Sequence, residues 1–161
     1  VSGGESAVAY ELPRVPASAG ALLWDEHGSL LVLKPTYKAG WTLPGGVMED
    51  DGESPWQACQ REVAEETGLV VHHGELRCVD FRRPRPGRPG GLRFLFDCGV
   101  MDHQGLGALA LQESEIAEAQ WVTPEQALHM LAGPVRRRVR AVLRHPRRLH
   151  YLEDGRRVRP A

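Results

Sequence analysis

The stretch GGVMEDDGESPWQACQREVAEETGL, residues 45–69, constrains this chain more than any other. Its centre is a helix with both ends written into the sequence. Ser54 suits the N-cap and Pro55 the first helical position, where a missing N–H does no harm. Gln57 completes an S-x-x-Q capping box, and Gly68 supplies a left-handed stop. Trp56, Cys59 and Val63 recur at helical spacing, an apolar stripe that needs a core. Glu62, Glu65 and Glu66 crowd the last two turns, and at roughly 100° per residue they share about a third of the circumference. That is the negative end of the helix dipole, where each carboxylate loses ~0.3–1 kcal/mol and neighbouring carboxylates also repel one another. Arg61 offsets part of this. One reading is a solvated acidic face. The other is a site for a hard divalent cation, because Mg²⁺ takes oxygen ligands from a few carboxylates and leaves positions for water or phosphate.

Gly46, Glu53 and the run Arg61-Glu62-Val63-Ala64-Glu65-Glu66-Thr67-Gly68-Leu69 resemble the signature of the Nudix hydrolases, G-x5-E-x7-R-E-U-x-E-E-x-G-U, with U a bulky apolar residue. The match holds from Glu53 to Leu69, the seven-residue spacer included, whereas six residues rather than five separate Gly46 from Glu53. The extra acid falls in Glu49-Asp50-Asp51-Gly52, before the helix, so the helical register is untouched. This loop is expected to bulge away from the site, with Asp50 and Asp51 exposed. The signature covers about a sixth of the chain, and weaker similarities extend it over most of residues 15–133.

The resemblance implies an α/β fold, an αβα sandwich around a mixed sheet. It implies water attack on a phosphorus of a diphosphate, in a nucleoside diphosphate linked to another group. Glu62, Glu65, Glu66 and the Gly46 carbonyl are the implied metal ligands, with Mg²⁺ as the cofactor and Mn²⁺ as an alternative. Glu62 is ligand or general base, Arg61 orients a glutamate, and Glu53 supports the helix and its arginine. Glu115, with Glu113 second, is the implied further catalytic acid, although both also read as ordinary loop acids. For substrate, Lys34 and Lys38 suit phosphate, Trp41, Tyr37 and Phe81 suit a base, and Arg85 lies in the Pro/Arg/Gly loop 84–91. Each of these also has a plain surface or packing reading. Pro84, fifteen residues after Leu69, gives a slight lean toward ADP-ribose or another nucleotide sugar. Two other readings stand beside this one: a non-catalytic regulatory module of the same fold, and the removal of oxidised nucleoside triphosphates. Intact signature glutamates favour turnover.

The remaining sequence sets the frame. A chain of 161 residues suits a single domain with a sizeable core, here divided into a flexible arm 1–14, a hydrolase domain 15–146 and a tail 147–161 with a small hairpin at Asp154-Gly155. Twenty Lys and Arg against 21 Asp and Glu give no support to nucleic-acid binding, and the Arg-rich segment 136–148 reads better as the outer face of a terminal helix. No apolar run approaches a membrane span, and no signal pattern opens the chain, which starts at Val1 rather than Met. Cys59, Cys78 and Cys98 are scattered, as reduced structural thiols of the cytoplasm would be. The expected partner is a small-molecule nucleotide, with no membrane and no nucleic acid, and a homodimer is compatible with this reading. Strands are expected over 18–35, with a turn at Asp25–Ser29, and over 69–83, 91–101 and 115–122. Helices are expected from Thr123 and Pro134. The histidines show no metal spacing and are read as surface residues.

Overall fold

Alternation along the strands decides the layering. In the computed structural model, which describes residues 12–101 and 109–158, strand β1 (Ala17–Trp24) sends Ala19, Ala21 and Leu23 to one face and Leu22 to the other. Strand β2 (Leu30–Pro35) sends Leu31 and Leu33 to the first face and Leu30 and Val32 to the second. Side chains of a strand point alternately up and down, so a strand apolar on both faces must be covered on both. Helix α1 (Pro55–Thr67) covers the first face through Ala58, Cys59 and Val63. Helices α2 (Pro124–Met130) and α3 (Gly133–Arg144) cover the second through Ala127, Val139 and Val142. The result is the expected αβα sandwich.

Between the layers lies a mixed sheet that also contains β3 (Gly45–Val47), β4 (Glu75–Arg82), β5 (Gly91–Val100), β6 (Ile116–Val122), β7 (His150–Glu153) and β8 (Arg156–Arg157). The order is β6-β2-β1-β5-β4-β7-β8, with β3 paired to β1 off this path. The pairs β1–β5 and β4–β7 are parallel and the rest antiparallel. Helices α1 and α2 start with the reciprocal capping box, Ser54 with Gln57 and Thr123 with Gln126, each worth ~1 kcal/mol. Among the described residues no helix is long and apolar enough to cross a membrane.

Four expectations change. The strand expected from Leu69 starts only at Glu75, because 69–74 returns the chain from α1 and buries Leu69 and Val71 beneath it. The segment 147–161 is more than a tail: β7 adds to β4 in parallel register, and Leu152, 1% exposed, belongs to the second core. His150 is buried, its Nε2 lying 3.1 Å from the His145 carbonyl. The arginines of α3 do not all face outward. Three consecutive arginines at 100° steps span most of the circumference, so one must turn inward. Arg138 does, placing Nε 3.5 Å from Oδ2 of the fully buried Asp80. Burial lowers the Arg138 pKa and the Asp80 charge opposes that. The other Asp80 oxygen accepts the Gly155 N–H at 2.8 Å, which ties the last hairpin to β4. Most of the arm 1–14, and His103, lie outside the described residues.

Because β7 is part of the core, Leu152→Ala is expected to cost about 2–4 kcal/mol in urea unfolding, the usual range for emptying a leucine site. A loss below about 0.5 kcal/mol would return the segment to the status of an appendage.

Candidate active site

The site is assembled where α1 meets the short strand β3. Strand β3 pairs with β1 (Ala19 opposite Gly46, Gly20 opposite Gly45), which brings two glycines under the last turns of α1. A Cβ on Gly46 would overlap the Glu62 carboxylate, and one on Gly45, at φ 143°, would overlap the Ala19 carbonyl. The missing side chain at Gly46 lets the backbone approach the Glu62 carboxylate, and the one at Gly45 lets β3 approach β1. The Gly45 N–H donates to Glu66 Oε2 at 2.8 Å.

Arg61 organises the acids. It donates to Glu53 through Nε (2.8 Å) and Nη2 (3.1 Å), to Glu62 Oε1 (2.9 Å), to Glu65 Oε2 (3.1 Å) and to the Val47 carbonyl (3.1 Å). Its pKa rises, chiefly through the Glu53 hydrogen bond, and that of Glu53 falls, chiefly through Arg61 and then through the Glu49 N–H. Glu53 is thus tied to the helix through Arg61.

Two acids are held at an electrostatic disadvantage. Glu66 is 4% exposed, and its pKa is pushed up to about 7, first by burial and then by the charges of Glu62 and Glu115, against the Gly45 hydrogen bond and Lys38. Glu62 is raised by burial and by Glu65 and Glu115, against Arg61. Glu115 therefore stands within electrostatic reach of both. Its loop is pinned to the end of β2: the Thr36 N–H donates to the Glu115 carbonyl (2.8 Å), and the Thr36 hydroxyl to the Ser114 and Glu115 carbonyls. The Gln112 N–H donates to the Glu66 carbonyl at 3.3 Å. Tyr37 faces the same field, its pKa raised by partial burial and by Glu66, Glu115 and Glu62.

Whether a divalent cation fits can be judged from the donors. Among the described residues no three His, Cys, Asp or Glu side chains already converge on one point. Glu62 is turned onto Arg61 and Glu66 onto Gly45. Each still keeps an oxygen, Oε2 of Glu62 and Oε1 of Glu66, that accepts no hydrogen bond among the described residues. Hard oxygen donors, mutual repulsion and spare lone pairs fit Mg²⁺ or Mn²⁺. Glu62, Glu66 and Glu65 would hold it.

Other expected residues divide. Tyr37 and Lys38 line a cleft with Gly45, Gly46, Arg93 and Arg138, and through Lys38, Arg93 and Arg138 this cleft runs into a second one that contains Trp41 and Arg85. Trp41 is half-buried on the second core and bridged through its backbone to Leu131. Lys34 lies exposed on β2 opposite Glu118, outside both clefts. Phe81 sits on β4 between Leu92 and Glu153, also outside both. Glu113 is exposed. Asp50 and Asp51 are exposed as expected: Asp50 lies 4.0 Å from Arg14, and Asp51 Oδ1 accepts the Glu53 N–H. Arg93 and Arg138 escaped the sequence reading. The available signals were a charged residue on a largely apolar strand and the Arg136–Arg138 run, which no single outer face can hold.

The sequence pattern that defines the NUDIX domain matches residues 14–144. A MutT-like protein of Streptomyces ambofaciens is 32% identical over 120 residues, 74% of this chain and 71% of that one. An RNA pyrophosphohydrolase of Xanthomonas campestris pv. campestris is 39% identical over 59 residues, 37% of this chain and only 28% of that protein. The crystal structure of a MutT protein from Methanosarcina mazei superposes with a TM-score of 0.70 at 26% identity, covering 87% of this chain and all of that one.

Two outcomes follow from the geometry. In metal-free protein, Glu66 holds a proton up to about pH 7, whereas the unfolded chain releases it near 4.5. Stability therefore falls as pH rises through that window, and Glu66→Gln should gain on the order of 2–3 kcal/mol at pH 8 and nothing at pH 4. Urea unfolding that shows the variant less stable at pH 8 would contradict this. Deleting Asp51 should leave activity within about threefold, since the loop absorbs a one-residue change for tenths of a kcal/mol. Loss of metal binding on that deletion would make the insertion part of the site.

Proposed function

The chain belongs to the NUDIX family of hydrolases, and on that footing we propose that it cleaves a diphosphate bond in a nucleoside diphosphate linked to another group, using Mg²⁺ or Mn²⁺. The carrying observation is the trio Glu62, Glu66 and Glu115, gathered from a helix and a loop so that Glu115 raises the cost of charge on both of the others and Glu62 raises it on Glu66. A divalent ion bound there would offset the charge of the diphosphate and of the attacking water. Nucleotide sugars such as ADP-ribose belong to the substrate class, and a small-molecule nucleotide is the partner. A cytoplasmic location is part of the reading, supported by three buried free thiols, of which burial pushes Cys78 up to about 12.

The residues divide the work by their contacts. Arg61 fixes Glu62 and Glu65 and ties them to Glu53, so the metal-holding face keeps its shape when charge arrives. Gly45 holds Glu66. Glu115 is the better base. The Glu62 carboxylate is steadied by a guanidinium, whereas among the described residues the Glu115 carboxylate meets only Gln112 Nε2, at 3.5 Å. Water adds its oxygen to one phosphorus, and the bridging P–O bond breaks with its electrons leaving on the other phosphate. The water's proton passes to Glu115 and on to solvent. Lys38, beside Glu66 and in the cleft, meets a phosphate oxygen.

Glu66→Gln should lower turnover of a diphosphate substrate by about a hundredfold or more with the fold intact, and weaken Mg²⁺ binding. Glu115→Gln should lose kcat by a similar factor while Mg²⁺ binding persists. A purified Glu66→Gln protein with full activity would remove Glu66 from the site. A Glu115→Gln protein with full activity would return the base to Glu62.

A further inference from the structure

The second cleft encloses a cavity of about 540 Å³ lined by seven cationic side chains and no acidic one. Besides Lys38, Arg93 and Arg138 these are Arg82, Arg83, Arg85 and Arg88. Their compensation is thin. Arg82, Arg83 and Arg85 share a single carboxylate, Asp154, at 3.6, 4.0 and 3.6 Å, and Arg83 also pairs with Glu153. Arg138 faces Asp80. Among the described residues the Arg93 side chain bonds only the Leu92 and Gly90 carbonyls, and neither Arg88 nor Lys38 pairs with a carboxylate. Arg82 Nη1 is buried without a hydrogen-bond acceptor. In a chain whose net charge is −1, this cavity carries a local excess of positive charge, and through Lys38 it joins the cleft lined by Gly45 and Gly46.

Resting on the hydrolase reading above, we propose that the group beyond the cleaved bond is itself phosphorylated, so that the substrate carries three or more phosphates. Guanidinium forks match phosphate oxygens in geometry and in charge. The volume suits a small molecule. A nucleic-acid strand fits less well. Strand-binding grooves interleave cations with aromatic platforms, and this cavity has one aromatic side chain, Trp41, half-committed to the core. The adjoining concavity beyond Arg83 and Arg85 includes Glu153 and Asp154, which interrupt the basic surface.

The test compares diadenosine tetraphosphate with ADP-ribose, four phosphates against two on the same nucleoside, in wild type and in Arg85→Ala/Arg88→Ala. At about 50 mM KCl the tetraphosphate should have a kcat/KM at least about tenfold higher, and the advantage should shrink at about 300 mM. The double variant should reduce the advantage to within about threefold, acting through KM more than kcat. Equal kcat/KM for the two substrates in wild type, with ADP-ribose turned over, would sink the inference and leave the hydrolase reading standing. If neither is hydrolysed, calorimetry with inorganic tripolyphosphate decides the cavity's role. Saturable binding weakened about tenfold in the double variant supports an oligophosphate site, and no binding overturns it. A 5′-triphosphorylated RNA preferred over the tetraphosphate, with the preference lost in Arg140→Ala/Arg144→Ala, two exposed arginines of α3 outside the cavity, would replace the small molecule with a strand.

Discussion

One guanidinium holds the acidic end of this protein together. Arg61 has five N–H donors and uses them on three carboxylates and a carbonyl. Without it, Glu62 and Glu65 would meet across one helix face with no counter-charge, and the loop before α1 would have no fixed relation to the helix. With it, Glu53 is clamped from the loop side, and the Val47 carbonyl ties β3 to the same point. The extra residue in the loop is therefore absorbed outside the clamp, at Asp50 and Asp51.

The rest of the molecule supplies the opposite constraint, close approach. Strand β3 pairs on β1, α1 packs on the same face through Ala58, Cys59 and Val63, and two glycines lie between. Glu66 is buried by that packing rather than by any property of its own. Its raised pKa is a consequence of the fold's thickness at one point, and it gives a bound cation electrostatic work to do. The site is bipolar: carboxylates from α1 and the 112–115 loop at one end, arginines from β4, β5 and α3 at the other, and Lys38 between.

Much of the acidic end was legible in the sequence because its determinants are local. A capping box, a terminal glycine and a run of glutamates fix both the helix and the face that carries the charge. The strands were legible from apolar alternation, and the αβα layering from the resemblance to the Nudix hydrolases. The basic end was not legible in the same way. Arg138 enters the cleft because it must turn inward against Asp80, a pairing across 58 positions that no local pattern marks. Lys34 illustrates the converse: it is a plausible phosphate ligand by type, yet strand register places it opposite Glu118 and outside the clefts. The last hairpin was visible as a turn at Asp154-Gly155, but its parallel docking on β4 depends on buried contacts of Leu152 and on the Asp80–Gly155 hydrogen bond.

The central claim is that Glu62 and Glu66 form a cation site whose repulsion the ion relieves. The most direct measurement is the melting temperature of wild type and of Glu62→Gln/Glu66→Gln across a Mg²⁺ titration at pH 8, since a ligand bound only by the folded state adds about 2.7 kcal/mol at a hundred times its Kd. The account predicts a melting temperature that climbs with the logarithm of Mg²⁺ concentration in wild type and stays flat in the double variant. Parallel curves for the two proteins would contradict it.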